Sequence, residues 1–157
     1  MIDPDSFFLN VAQLARGQGR CLRRQVGAVI VRDQSIIATG FNGTPVGFRN
    51  CTEGGCDRCF NSKLYPEGRD YDLCVCVHGE QNCILQAARF GISIQNTTLY
   101  TTLKPCLTCL KDILNSGISG VVYRDEWIVP LEQKGAYDKM ASMLTMFRKY
   151  EHPVYKE

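Results

Sequence analysis

Leu73-Cys-Val-Cys-Val-His78-Gly79-Glu80-Gln-Asn-Cys83-Ile-Leu-Gln-Ala-Ala-Arg89-Phe90, followed about 25 residues after its glutamate by Pro105-Cys106-Leu-Thr-Cys109, is the part of the sequence from which the rest can be read. Each half opens an apolar-periodic segment, so each marks a helix start, and each carries metal-ligand side chains at that start. A lone CxxC fits a redox pair or half of a structural metal site equally well. The chain has only two histidines, however, and one of them lies two residues before a glutamate. One neutral imidazole and two thiolates fill three of the four tetrahedral positions around Zn²⁺ and leave the fourth for water, whereas a closed structural site needs a fourth protein ligand. His78, Cys106 and Cys109 are therefore the candidate ligands, with Glu80 placed to reach the water without binding the metal. The plainer reading of Glu80 is a solvated carboxylate favoured by the helix dipole.

Outward from this pair, the elements alternate. Asp3-Pro4-Asp5 starts a helix that keeps apolar spacing through Phe7, Phe8, Val11, Leu14 and Ala15 and ends near Gly17 or Gly19. Residues 25–31 and 35–41 are rich in β-branched side chains and flank the turn Arg32-Asp33-Gln34, which predicts an antiparallel hairpin. Helices are expected over about 80–90 and 106–115, the second closing at Gly117, strands over 98–102 and 120–123, and a last helix over 137–148. Cys83 reads as a small core residue of the first of these helices. The alternation implies an α/β fold whose first strand pair is antiparallel and whose later strands are parallel. Ligands of such sheets lie at the carboxyl ends of strands, where helix N-termini point, and both metal motifs fall at helix N-termini. Their partial positive charge favours the thiolate form of Cys106 and Cys109.

A chain of 157 residues with 45% hydrophobic and 22% charged residues fits one soluble domain, residues 1–157, with a single core. No apolar stretch is long enough to span a bilayer and no signal-peptide pattern is present, so a cytoplasmic location and no membrane partner are expected. A net charge of +2 does not advertise a groove for long nucleic acid, while single nucleotides remain compatible. Nine cysteines cannot all pair, and in a reducing compartment metal ligation accounts for them better than disulfides. Residues 48–77 show little periodicity and carry Cys51, Cys56, Cys59, Cys74 and Cys76, which marks a cysteine-rich insertion that is functional or stapled.

The spacing H-x-E…P-C-x-x-C is an established signature of zinc-dependent nucleobase deaminases, and the chain matches it. Together with Cys21-Leu-Arg-Arg-Gln-Val-Gly-Ala-Val-Ile-Val, Gly40-Phe-Asn-Gly-Thr-Pro-Val-Gly, the run from Cys51 to Cys59 and Leu99-Tyr-Thr-Thr-Leu-Lys ahead of Pro105, it resembles the deoxycytidylate deaminases of the zinc-dependent cytidine/deoxycytidylate deaminase family over roughly residues 5–125. The resemblance implies a three-layer α-β-α, cytidine deaminase-like fold with a mixed central sheet of about five strands. It implies hydrolysis of dCMP to dUMP and ammonia, supplying dUMP for thymidylate synthesis, with Glu80 moving protons between water, ring nitrogen and departing amine. Family members usually carry alanine where this chain has Gly79, a position whose backbone N–H faces the pyrimidine; glycine keeps the donor and loosens the turn.

By the same resemblance, Asn42 would bond the deoxyribose 3′-hydroxyl and the backbone around Thr44 and Pro45 would shape the nucleotide pocket; read without it, that loop is a Gly/Pro turn. Trp127 falls near the place of an aromatic beside the substrate, and is equally open to a core or interface role. The phosphate ligand is open among several cations, including Arg23, Arg24, Arg58 and Lys104. A structural zinc in some family members uses positions matching Cys21, Cys51 and Cys76. The fourth ligand is open among Cys56, Cys59 and Cys74; the CxxC of Cys56 and Cys59 also suits zinc, so the assignment is open within these six, and the alternatives are disulfides or free thiols. A homo-oligomer, in particular a hexamer, is implied as well, activated by dCTP and inhibited by dTTP, with Mg²⁺ accompanying the triphosphate and Arg89 as a contact to subunit or effector. Three other functions compete: deamination of another cytosine nucleotide or nucleoside such as dCTP or deoxycytidine, editing of a base in nucleic acid, and a non-catalytic zinc-stapled interaction module.

Overall fold

The computed structural model describes residues 2–66, 70 and 73–151. Helix α1, Pro4–Arg16, starts with Pro4 in its first turn and with the Asp3 carboxylate accepting the Ser6 N–H at 3.0 Å. Strands β1, Gly27–Arg32, and β2, Ser35–Phe41, form the expected hairpin. Asp33 and Gln34 both take positive φ, 48° and 61°, as a two-residue turn that matches strand twist requires. Gln25 and Val26, expected in the strand, precede it: the Val26 N–H and carbonyl are both held by Asn42 instead of by a neighbouring strand. Within the insertion a short 3₁₀ turn, Cys51–Glu53, leads to the one-turn helix α2, Asp57–Phe60.

Then come α3, Gly79–Arg89; β3, Thr98–Leu103; α4, Leu107–Asn115; and β4, Gly120–Asp125. The chain continues into α5, Leu131–Ala141, and β5, Met146–Lys149. The helix expected over 137–148 is thus corrected: it begins and ends earlier, a turn follows it, and the last three residues of the expected helix lie in a strand. Met146 packs toward α1 and Phe147 toward the opposite face, the period-two alternation of a strand paired in parallel with β4.

The five strands run in the order β2-β1-β3-β4-β5, with β1 antiparallel to both neighbours and β3, β4 and β5 parallel. Val29 and Val31 of β1, with Tyr100 and Val122, pack on Phe8, Leu9 and Ala12 of α1. Ala28, Ile30, Leu99 and Val121 face the other way, onto Cys83 and Ala87 of α3, Leu110 and Ile113 of α4 and Tyr137 of α5. The result is the three-layer α-β-α sandwich with a mixed five-stranded sheet, and Cys83 is a wholly buried core residue as expected. Two glycines set how closely helices lie on the hairpin. A Cβ on Gly27 would come within 2.1 Å of the Ala12 carbonyl oxygen in α1, and one on Gly40 within 2.3 Å of the Gly79 oxygen in α3.

Candidate active site

His78 is the N-cap of α3 and Cys106 the N-cap of α4, so packing the two helices side by side brings the two motifs together. His78 Nδ1 lies 3.5 Å from Cys106 Sγ and 3.3 Å from Cys109 Sγ. Nitrogen and sulfur on one tetrahedral zinc stand about 3.5 Å apart, given bonds of about 2.0 and 2.3 Å, so the triad fits that ion closely. Both thiols face Nδ1, so Nδ1 is the ring nitrogen a metal held by this group would meet, with Nε2 then carrying the ring proton. Glu80 Oε2 stands 3.6 Å from Cys109 Sγ. Glu80 and Cys109 are buried, while His78 and Cys106 are part-exposed, so the site opens on the His78–Cys106 side.

The electrostatics follow from crowding. A hydrogen bond from Cys109, opposed by burial and helped by His78, holds the Cys106 thiol down at about 4, and the reciprocal contact pushes Cys109 well above the ordinary thiol range. His78 is raised to about 9, chiefly by its hydrogen bond to Cys106. A divalent cation would displace those protons. Burial, then the nearby Cys106 charge, raises Glu80 to about 7, close to the value that suits a group both taking and giving protons near neutrality.

Two contacts that tie the ligand helices were not anticipated from the sequence. Gln81 Oε1 accepts the His78 N–H at 3.1 Å, and its Nε2 donates to Asp112 Oδ2 on α4 at 2.8 Å. Gln three residues after an N-cap is a capping-box position, so the first half was available as a signal. Tyr137 on α5, 1% exposed, donates its hydroxyl to the Pro105 carbonyl at 2.6 Å and so fixes the turn into Cys106.

The remaining expected residues divide. The Gly43 and Val77 backbones exchange hydrogen bonds at 3.2 and 2.8 Å, which holds the loop of Asn42, Thr44 and Pro45 beside His78. Asn42 is buried: its Oδ1 accepts the Val26 N–H at 2.8 Å and its Nδ2 donates to the Arg24 carbonyl at 2.6 Å, leaving one N–H and one lone pair of the amide. Gly79 is buried, and a Cβ there would approach the Val26 carbonyl oxygen to 2.8 Å, which gives glycine at this position a packing reason. Trp127 is half-buried and packs against Tyr137, the ring centres 6.3 Å apart and the planes tilted by 53°. Arg89 is exposed at the end of α3 over the Phe90 ring. Among the cations, Arg23 donates to the Arg58 and Tyr65 carbonyls, Arg58 is buried, Lys104 pairs with Glu126 at 2.8 Å, and Arg24 is exposed.

The six cysteines of the second group also converge. Cys21, Cys51, Cys59 and Cys76 have their sulfurs within 4.8 Å of one another, and so do Cys56, Cys59, Cys74 and Cys76. They form a compact cluster apart from the two main cores and contain no disulfide.

A His-Cys-Cys triad that could hold a metal ion, beside a buried glutamate on paired helix N-termini over this sheet, has the make-up of the zinc-dependent nucleobase deaminase signature. The family model for the cytidine and deoxycytidylate deaminase zinc-binding region matches residues 2–125, and the chain belongs to that family. The deoxycytidylate deaminase of Saccharomyces cerevisiae is 45% identical over 123 residues, 78% of this chain and 38% of that protein; the chain thus spans less than two-fifths of this relative's length. The deoxycytidylate deaminase of Mycobacterium phage D29 is 38% identical over 128 residues, 79% of this chain and 96% of the relative. The dCMP deaminase of cyanophage S-TIM5, solved in complex with dCMP and dUMP, superposes with a TM-score of 0.71 at 28% identity, covering 96% of this chain and 100% of that one.

Removing one thiolate tests the ligand set directly. Cys106→Ala is expected to release one zinc per chain and to abolish turnover, read by elemental analysis of folded protein alongside an activity assay. Full metal content with full activity would rule out Cys106 as a ligand.

Proposed function

We propose that this chain, as one deaminase domain over residues 1–157 with a cysteine-rich insertion at about 48–77, hydrolyses dCMP to dUMP and ammonia, a supply step for thymidylate synthesis. The observation that carries the reading is the buried Glu80 carboxylate set against a three-ligand metal group that leaves a coordination position open. Family membership and the nucleotides named for the S-TIM5 relative support the choice of substrate. Zinc held by His78, Cys106 and Cys109 supplies, when bound, the Lewis acidity that makes water a nucleophile near neutral pH. Glu80 Oε2 takes one proton of the attacking water and delivers it to the ring nitrogen beside the attacked carbon; it then takes the second proton, from the hydroxyl now on that carbon, and passes it to the amine as the C–N bond breaks. His78 and the two cysteines hold position, Gln81 and Tyr137 fix the two helix starts, and the Gly79 N–H faces the base. The Asn42, Thr44 and Pro45 loop forms the sugar side of the pocket, with the free N–H of Asn42 directed to the 3′-hydroxyl and Trp127 flanking the substrate.

A panel of cytosine, deoxycytidine, cytidylate and the deoxycytidine mono-, di- and triphosphates, assayed for ammonia release, tests it. dCMP is expected to exceed deoxycytidine in kcat/KM by up to about 10⁴, because a site built to pair a phosphate leaves donors unmet without one. Preference over cytidylate is expected to be smaller. Equal values for nucleoside and monophosphate would reassign the substrate.

The finer parts of the reading are a structural zinc in the six-cysteine cluster, a homohexamer with Arg89 at a subunit or effector contact, activation by dCTP with Mg²⁺, inhibition by dTTP, and a cytoplasmic setting in keeping with nine unpaired thiols. Among the described residues no helix is long and apolar enough to cross a membrane. Sedimentation should give six chains per particle and dTTP should lower the rate. A monomer with hyperbolic kinetics indifferent to both triphosphates would remove the regulatory part.

A further inference from the structure

Six cysteines are two more than one tetrahedral ion can use, and their arrangement accounts for all six. The two sets of four share Cys59 and Cys76; Cys21 and Cys51 belong to one set alone and Cys56 and Cys74 to the other alone. Cys59 Sγ stands 3.7 Å from Cys21 Sγ and 3.7 Å from Cys74 Sγ, one neighbour from each set. Two thiolates on one tetrahedral zinc are separated by about 3.8 Å, given Zn–S bonds of about 2.3 Å, whereas a disulfide brings sulfurs to about 2.05 Å. Cys59 thus has ligand spacing toward both sets at once.

The Val75 N–H donates to the Cys56 Sγ at 3.4 Å. Such a donor stabilises a terminal thiolate, which carries more charge than a sulfur shared between two cations. One ion in either set would strand two thiols of the other, including the fully buried Cys56 or Cys51, with their sulfurs already turned toward the shared pair. Six thiolates around two divalent ions carry the same net charge as four around one, so the second ion uses the stranded sulfurs at no added charge.

We propose that the insertion holds a dinuclear zinc–thiolate cluster, with Cys59 and Cys76 bridging two ions, Cys21 and Cys51 completing one and Cys56 and Cys74 completing the other. The proposal rests on the structural-zinc reading above and doubles its metal.

The test uses the whole chain, purified reduced with zinc present. Native mass spectrometry and elemental analysis should give three zinc ions per chain, one of them at the His78 site. X-ray absorption should show a metal–metal vector of roughly 3 Å, the separation across a shared edge of two tetrahedra. Cys51→Ser and Cys74→Ser should each weaken a different ion, so that mild chelation removes one zinc more than it does from the unaltered chain. If either variant fails to fold, stoichiometry and absorption on the unaltered chain decide alone. Two zinc ions without the vector would overturn the dinuclear cluster and leave one structural zinc standing; one zinc would overturn both.

Discussion

Glu80→Gln is expected to keep its zinc and its fold and to lose about 10² to 10⁴ of kcat, the usual cost of removing a group that both takes and gives protons. The substitution is nearly isosteric, and Glu80 is 3% exposed, so a change in shape or solvation contributes little. What disappears is the carboxylate that burial has raised to about 7, within reach of both protonation states near neutrality. An amide at the same place can hydrogen bond but cannot carry a proton from water to ring and on to the amine. The measurement is single-turnover rate at matched zinc content, with circular dichroism as the check on folding. Turnover within a few-fold of the unaltered chain would dismiss Glu80 as the proton carrier.

Gly40→Ala is expected to be among the most damaging single-methyl additions. The new Cβ would lie 2.3 Å from the Gly79 carbonyl oxygen and 2.4 Å from the Cys83 nitrogen, both backbone atoms of α3, so no side chain can turn aside to make room. Overpacking of this kind costs about 3 kcal/mol at the upper end of its usual range, which lowers Tm by about 10 °C in a chain of this size. Because the helix that must retreat begins beside His78, metal affinity should fall with stability. Gly135→Ala in α5 is the control: nothing lies within 4 Å of its Cβ, and there the methyl should stabilise through helix propensity. Thermal melts of the two variants should move in opposite directions, and an unchanged melt for Gly40→Ala would show that the α3–β2 contact yields freely.

Much of the site could be read from the chain because its chemistry coincides with punctuation. A ligand that is also an N-cap announces both a helix start and a donor, so His78 and Cys106 carried fold and site in the same residues. The hairpin was equally legible, since two runs rich in β-branched side chains flank a polar turn. β5 was not: four residues, Met146–Lys149, are too few to show a period of their own, and they follow a helix whose apolar spacing at Tyr137, Met140, Ala141 and Leu144 runs on into them. Only pairing with β4 makes them a strand. The links from Gln81 to Asp112 and from Tyr137 to Pro105 span 31 and 32 residues, and nothing local in the chain marks either partner for the other. The cysteines were visible as a group, but membership of two overlapping sets depends on where the 3₁₀ turn at Cys51 and the single turn of α2 fold back on Cys21 and Cys76.

The Tyr137 hydroxyl on the Pro105 carbonyl changes how the chain's last fifth should be regarded. The family match stops at residue 125, and every proposed ligand and the proton carrier lie before it. Yet the peptide that delivers Cys106 is braced from α5, which lies wholly after that point, and Trp127 wedges against the same ring. A fragment cut to the matched region would retain a complete list of reactive groups and lose the strut that aims one of them. Drift in this tail would therefore reach Cys106 through one hydrogen bond, with no change to His78, Cys106 or Cys109 themselves.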